Sequence, residues 1–260
     1  MAKDMINGYV SVEIHNGIAT IEFFHPQSNS LPKKILEDLA KEIHAAGRDN
    51  DIKVIVLRSA GEKSFCSGAS FNELTSIENK EKGFEFFSGF ANVINAMRKC
   101  SKLIIGRIHG KCVGGGVGLA AAVDYAIAVE GADVKLSELA IGIGPFVVGP
   151  AVERKIGTSS FCQLSIDASM WRNADWARRK GLFSELHPTT EAMDESVFRL
   201  SNQLAHTSPQ AMAELKKVLW KGTEDWDDLL YKRAEISGNL VLSSFTKEAI
   251  AKFKEKAGKV

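Results

Sequence analysis

The run His109-Gly110-Lys111-Cys112-Val113-Gly114-Gly115-Gly116-Val117-Gly118 constrains this chain more than any other stretch. An apolar strand pattern, Leu103 to Ile108, leads into it, and a helix pattern begins at Gly114. Each glycine inside a helix costs roughly 1 kcal/mol relative to alanine. Something must therefore come close to this backbone, either a ligand or a neighbouring piece of chain. The first turn of such a helix also leaves amide N–H groups unpaired, and these attract negative charge.

Around this run the pattern alternates between strands and helices. Tyr9 to His15 and Ile18 to Phe23 alternate with period two about Asn16-Gly17, which predicts a hairpin with a type I′ turn. Pro32 to Ala46 has helical spacing, Lys53 to Arg58 reads as a buried strand, Glu81 to Lys99 as a helix and Tyr125 to Val129 as a strand. Alternation of this kind predicts βα crossovers and a largely parallel sheet. After Thr189 only helices are predicted: Met193 to Ala205, Pro209 to Trp220, Trp226 to Leu242 and Thr246 to Lys256. We therefore divide the chain into an α/β core, residues 1–190, and a helical region, residues 191–260, that packs on the core or builds an oligomer interface.

Composition removes several classes of function. Lys+Arg is 33 against Asp+Glu 32, which gives no electrostatic reason to expect nucleic acid or an acidic membrane as partner. No apolar run reaches the ~20 residues of a membrane span, and the N-terminal residues lack a signal-peptide pattern, so a cytoplasmic location is expected. Cys66, Cys100, Cys112 and Cys162 are widely spread and the histidines scattered, so neither a metal site nor a disulfide framework is expected.

Two further segments carry chemistry. In Phe65-Cys66-Ser67-Gly68-Ala69-Ser70, a glycine just past a strand frees nearby amides to face a ligand. In the segment Lys135 to Phe146, Glu138 sits among apolar residues ahead of a Gly/Pro-rich turn, surroundings that raise a carboxyl pKa toward the range useful for proton transfer. These three segments in this order resemble the enoyl-CoA hydratase/isomerase (crotonase) family along nearly the whole chain. Its Phe-x-x-Gly-Ala loop is Phe65 to Ala69, and its Asn/His-Gly-x-x-x-Gly-Gly-Gly segment is His109 to Gly116, followed by Asp124. Its acidic residue before a Gly/Pro turn is matched by Glu138 to Pro145.

The resemblance implies a spiral of ββα units with a C-terminal helical region, assembled as a homotrimer or hexamer. It implies an acyl-CoA thioester as substrate and no separate cofactor, coenzyme A being part of the substrate. The backbone N–H groups of Ala69 and Gly115 would form an oxyanion hole, and Glu138 would be the catalytic carboxylate. Ser67, Gly68, Ser70, Phe71, Gly114, Gly118, Pro145 and Phe146 are expected to bind substrate, with coenzyme A adenine near Ser67. Family hydratases carry a second Glu where this chain has Gly118, so a double-bond isomerase using one carboxylate is expected. A hydratase working with Glu138 alone, including one for 3-methylglutaconyl-type chains, is the alternative. Ser70 and Asn72 also depart from the common Asp and Lys.

Two other classes stay in view. Gly116-Val117-Gly118-Leu119-Ala120-Ala121 fits the G-x-G-x-x-A dinucleotide fingerprint, although a hairpin and two strands precede it. Some relatives bind RNA through a Lys-rich helix. Here Lys33, Lys34 and Lys41 alternate with acids as on an ordinary solvated face. Lys252, Lys254, Lys256 and Lys259 are more basic, and suit the coenzyme A phosphates of a neighbouring subunit as well as they suit a nucleic acid.

Overall fold

The period-two runs about Asn16-Gly17 form the predicted hairpin, with β1 (Tyr9–His15) antiparallel to β2 (Ile18–Phe24). Asn16 and Gly17 take φ of 49° and 77°, as a type I′ turn requires. The computed structural model describes residues 4–257, and side chains as far as residue 252. From the hairpin the chain runs through α1 (Lys33–Arg48), β3 (Val54–Ser59), β4 (Ser64–Cys66), α2 (Phe71–Leu74) and α3 (Lys80–Lys99). It continues with β5 (Leu103–Ile108), β6 (Lys111–Val113), α4 (Gly115–Ala122), β7 (Tyr125–Val129), β8 (Val134–Lys135) and a single 3-10 turn, Glu138–Ile141. α5 (Gly149–Ile166), α6 (Ala174–Arg179) and β9 (Glu185–His187) precede four helices. These are α7 (Thr190–Ala205), α8 (Pro209–Leu219), α9 (Trp226–Leu240) and α10 (Ser244–Ala257).

Two sheets result. The larger has the order β1-β2-β3-β5-β7-β9 and is parallel apart from the hairpin. Its central strands are buried on both faces, which is why they read as unbroken apolar runs. The smaller sheet, β4-β6-β8, is parallel throughout. Each small strand follows a strand of the large sheet and precedes a helix, in the order β3-β4-α3, β5-β6-α4 and β7-β8-α5. This is the repeated ββα unit that the resemblance implies. Strands of two or three residues are too short to show alternation, so no periodicity in the sequence marks them. The region between β8 and α7 was also left without helices, and there α5 is interrupted at Gly157, with φ 73° and ψ 158°.

The C-terminal helices share the main core, to which they give Met193, Val197, Trp220, Trp226, Leu230 and Ala234. A buried ion pair holds α8 to the body. Asp124 Oδ2 accepts from the Ile104 N–H at 2.7 Å and lies 3.0 Å from Lys216 Nζ, while Oδ1 accepts from Trp220 Nε1 at 2.8 Å. Lys216 also donates to the Lys102 carbonyl at 2.7 Å. Their side chains are 5% and 4% exposed, so removing one partner strands a buried charge. Lys216→Ala should cost about 3–5 kcal/mol of stability in urea unfolding. Asp124→Asn combined with Lys216→Met should cost less, and equal losses would show that the pair is not the anchor.

Candidate active site

Because β4, β6 and β8 are parallel, their carboxyl ends share one edge, where open sheets gather their ligand sites. Each strand leads directly into one of the three segments singled out in the sequence. Ser67-Gly68-Ala69 follows β4, Gly114-Gly115 follows β6, and Ser137-Glu138 follows β8. Cys66 stands opposite Cys112 and Val113 opposite Lys135, and the Gly114 N–H donates to the Lys135 carbonyl at 2.9 Å.

Gly114 has φ 52° and ψ −115°, a conformation that side chains resist, and a Cβ there would lie 2.9 Å from Glu138 Oε1. The following glycines are explained by close packing against the protein's own atoms. A Cβ would fall 2.2 Å from the Phe90 ring at Gly115, 2.1 Å from the Cys66 carbonyl oxygen at Gly116, and 2.5 Å from Val148 at Gly118. The glycines of the dinucleotide-like run are therefore used for packing.

The amides of Ala69 and Gly115 donate no hydrogen bond among the described residues, although their neighbours do. Leu31 N–H bonds the Gly68 carbonyl at 2.7 Å and Ser70 N–H bonds the Leu31 carbonyl at 2.9 Å. The two loops touch, since a Cβ on Gly68 would lie 3.4 Å from the Gly115 nitrogen. Two unspent donors on one cavity wall suit an oxygen that gains negative charge.

Glu138 opens the 3-10 turn, which the Ile143 N–H closes onto the Glu138 carbonyl at 3.0 Å. The residue as a whole is half-buried, but its carboxyl end is fully so: Oε2 is shut off from solvent and has no hydrogen-bond partner among the described residues. Burial pushes this carboxyl up to about 7, against a smaller opposing effect of its own backbone N–H.

These groups face one cavity of about 710 Å³. Of the residues predicted from sequence, Ser67, Gly68, Ala69, Phe71, Gly114 and Gly115 line it, as do Glu138, Pro145 and Phe146. Ser70 does not: it is buried and caps α2, its hydroxyl accepting from the Glu73 N–H at 3.3 Å. Gly118 lies behind the wall, under Val148. Sequence reasoning missed Leu74, the α3 side chains Phe86, Phe87 and Phe90, and Phe245 of α10. The aromatic density of residues 84–90 was the available signal, but on a helix it reads as ordinary core. α10 rests on the 3-10 turn that carries Glu138, because a Cβ at Gly142 would come 2.6 Å from both Phe245 and Thr246. Lys252 lines the cavity too, whereas the side chains of Lys254 and Lys256, and all of Lys259, lie outside the described residues. Lys33 and Lys34 of the basic helix pair with Glu85, Glu37 and Asp38.

The architecture is that of the crotonase fold. The crystal structure of an enoyl-CoA hydratase from Bacillus halodurans superposes with a TM-score of 0.86 at 23% identity, covering 94% of this chain and 99% of that one. The enoyl-CoA hydratase/isomerase family profile matches residues 13–259, and the chain belongs to that family. It is 27% identical to the short-chain-enoyl-CoA hydratase of Clostridium acetobutylicum, over 95% of each chain. It is also 27% identical to the peroxisomal Delta(3,5)-Delta(2,4)-dienoyl-CoA isomerase of Arabidopsis thaliana, over 75% of this chain and 74% of that one.

The raised pKa of Glu138 has a consequence for stability. Its folded value of about 7 lies above the ordinary 4.5, so the stability it contributes is complete below pH 4.5 and is lost as pH rises through 7. Glu138→Gln should match the parent protein in urea unfolding at pH 4 and exceed it by about 3 kcal/mol at pH 8. Equal stability at both pH values would mean that the carboxyl ionises freely.

Proposed function

We propose that this protein moves the double bond of an enoyl-CoA thioester, Glu138 taking a proton from C2 and returning it at C4. The amides of Ala69 and Gly115 hold the thioester oxygen as enolate charge develops, a type of contribution worth several kcal/mol of barrier. A carboxyl with a pKa of about 7 is part ionised at neutral pH, so it can both accept and return a proton.

One observation carries the choice of isomerisation over hydration. At Gly118, where the resemblance places the second Glu of hydratases, there is no side chain, and Val148 fills the space. Of the other ionisable residues lining the cavity, Glu248 and Lys252 are exposed on α10, and the Lys135 ammonium lies 5.6 Å from the Trp171 ring centroid. Proton return at C4 needs one carrier, whereas adding water is easiest with two. Hydration by Glu138 alone is the second reading, favoured by the hydratase name of the Clostridium relative.

Absorbance of the conjugated 2-enoyl thioester separates the two. A rise with a 3-enoyl-CoA that Glu138→Ala reduces by orders of magnitude is the expected result. A Glu138-dependent fall with a 2-enoyl-CoA, and no rise with the other, would overturn isomerisation in favour of hydration. Gly118→Glu alone should give no hydration, because the new side chain collides with Val148. Combined with Val148→Gly it should bring hydration of the 2-enoyl thioester above background. Hydration by the single variant would sink the role given to Val148.

A further inference from the structure

α9 contributes one polar side chain to the cavity wall, Ser237, which is 1% exposed. A helical serine in apolar surroundings usually donates back to the carbonyl four residues earlier, as Ser88 does to Phe84 at 2.7 Å. Among the described residues no such bond is found for the Ser237 hydroxyl, and its oxygen is not one of the buried atoms closed off from solvent, so it opens onto the cavity it lines. Its place is fixed by the close crossing of α9 over α3, where a Cβ on Gly238 would lie 2.7 Å from the Phe84 nitrogen.

The same cavity is walled by Leu74, Phe86, Phe87, Ile143 and Phe245. The Ser30 hydroxyl is already spent on the Ala69 carbonyl at 2.9 Å, and Ser67 and Ser137 sit on the loops that carry Ala69 and Glu138. A hydroxyl that opens onto a cavity and is bound to nothing in the protein pairs with whatever fills that cavity, water or ligand, and a ligand that displaces the water without replacing its bond leaves the hydroxyl unpaired.

We propose that Ser237 selects acyl chains bearing a neutral oxygen, a hydroxyl or keto group, beyond the reacting carbons. This rests on the reading of the cavity as an enoyl-thioester site. The pairing discriminates as polar sites do: an analogue lacking the oxygen leaves the serine unpaired.

Saturated thioesters bind without reacting, so they test the pocket independently of the chemistry. Hexanoyl-CoA and hydroxyhexanoyl-CoA isomers, with the hydroxyl on successive carbons beyond C3, are compared by calorimetry on the parent protein, Ser237→Ala and Ser237→Thr. One isomer should bind the parent roughly fivefold tighter than hexanoyl-CoA. Ser237→Ala should abolish that preference and Ser237→Thr restore it. Ser237→Ala removes no internal bond, so its urea midpoint should match the parent's. If every isomer binds like hexanoyl-CoA, or the preference survives in Ser237→Ala, the role of Ser237 is overturned and the reaction assignment stands. If no thioester binds at all, both fall together.

Discussion

Four backbone positions without side chains, Gly114, Gly115, Gly116 and Gly118, hold the centre of this molecule together. Around them the Cys66 carbonyl, the Phe90 ring, Val148 and the Glu138 carboxyl all come nearer than any Cβ would allow. The small sheet, the start of α4 and the 3-10 turn can meet only because nothing stands between them. That contact also fixes where the Gly115 amide points before any ligand arrives, which is what electrostatic preorganisation requires. The helical cost of the glycines is offset by this packing, on a helix whose every residue is buried.

Two buried carboxylates show how differently the same chemical group can be used. Asp124 lies in a web of donors, with Ile104, Trp220 and Lys216 all directed at it. Its charge is answered on every side, and it joins β5, β7 and α8. Glu138 is also buried at its tip, but among the described residues Oε2 has no partner and no cation faces it. Satisfaction makes the first a fixture of the architecture. Want of it makes the second hold a proton to higher pH, since burial without a partner penalises the charged form.

What could be read from the sequence follows from the physics of each element. The hairpin was legible because seven-residue strands leave a clear alternation and Asn16-Gly17 fits one turn type. The loops carrying Ala69, Gly115 and Glu138 were legible because glycines and an isolated acid mark unusual backbone and unusual surroundings. The small sheet was not, since two or three residues hold no period. The cavity wall was hidden for another reason. Phe86 and Phe87 have the look of core, and only tertiary packing shows that they border empty space. In the sequence Gly118 shows only a missing carboxylate; that Val148 occupies the vacated place is set by the packing of α5 against α4.

The helix that rests on Gly142 and lines the cavity through Phe245 follows every other described element along the chain. The strands and turn beneath it come from residues made far earlier. A ribosome therefore completes the loops around Glu138 while the cavity still lacks a wall, and the apolar pocket exists only once Ser244 and its successors emerge. The same order leaves evolution two separate handles. Changes in α9, in α10 and at Phe86 and Phe87 of α3 can reshape what the cavity admits, while the glycine contacts, that of Phe90 with Gly115 included, stay untouched.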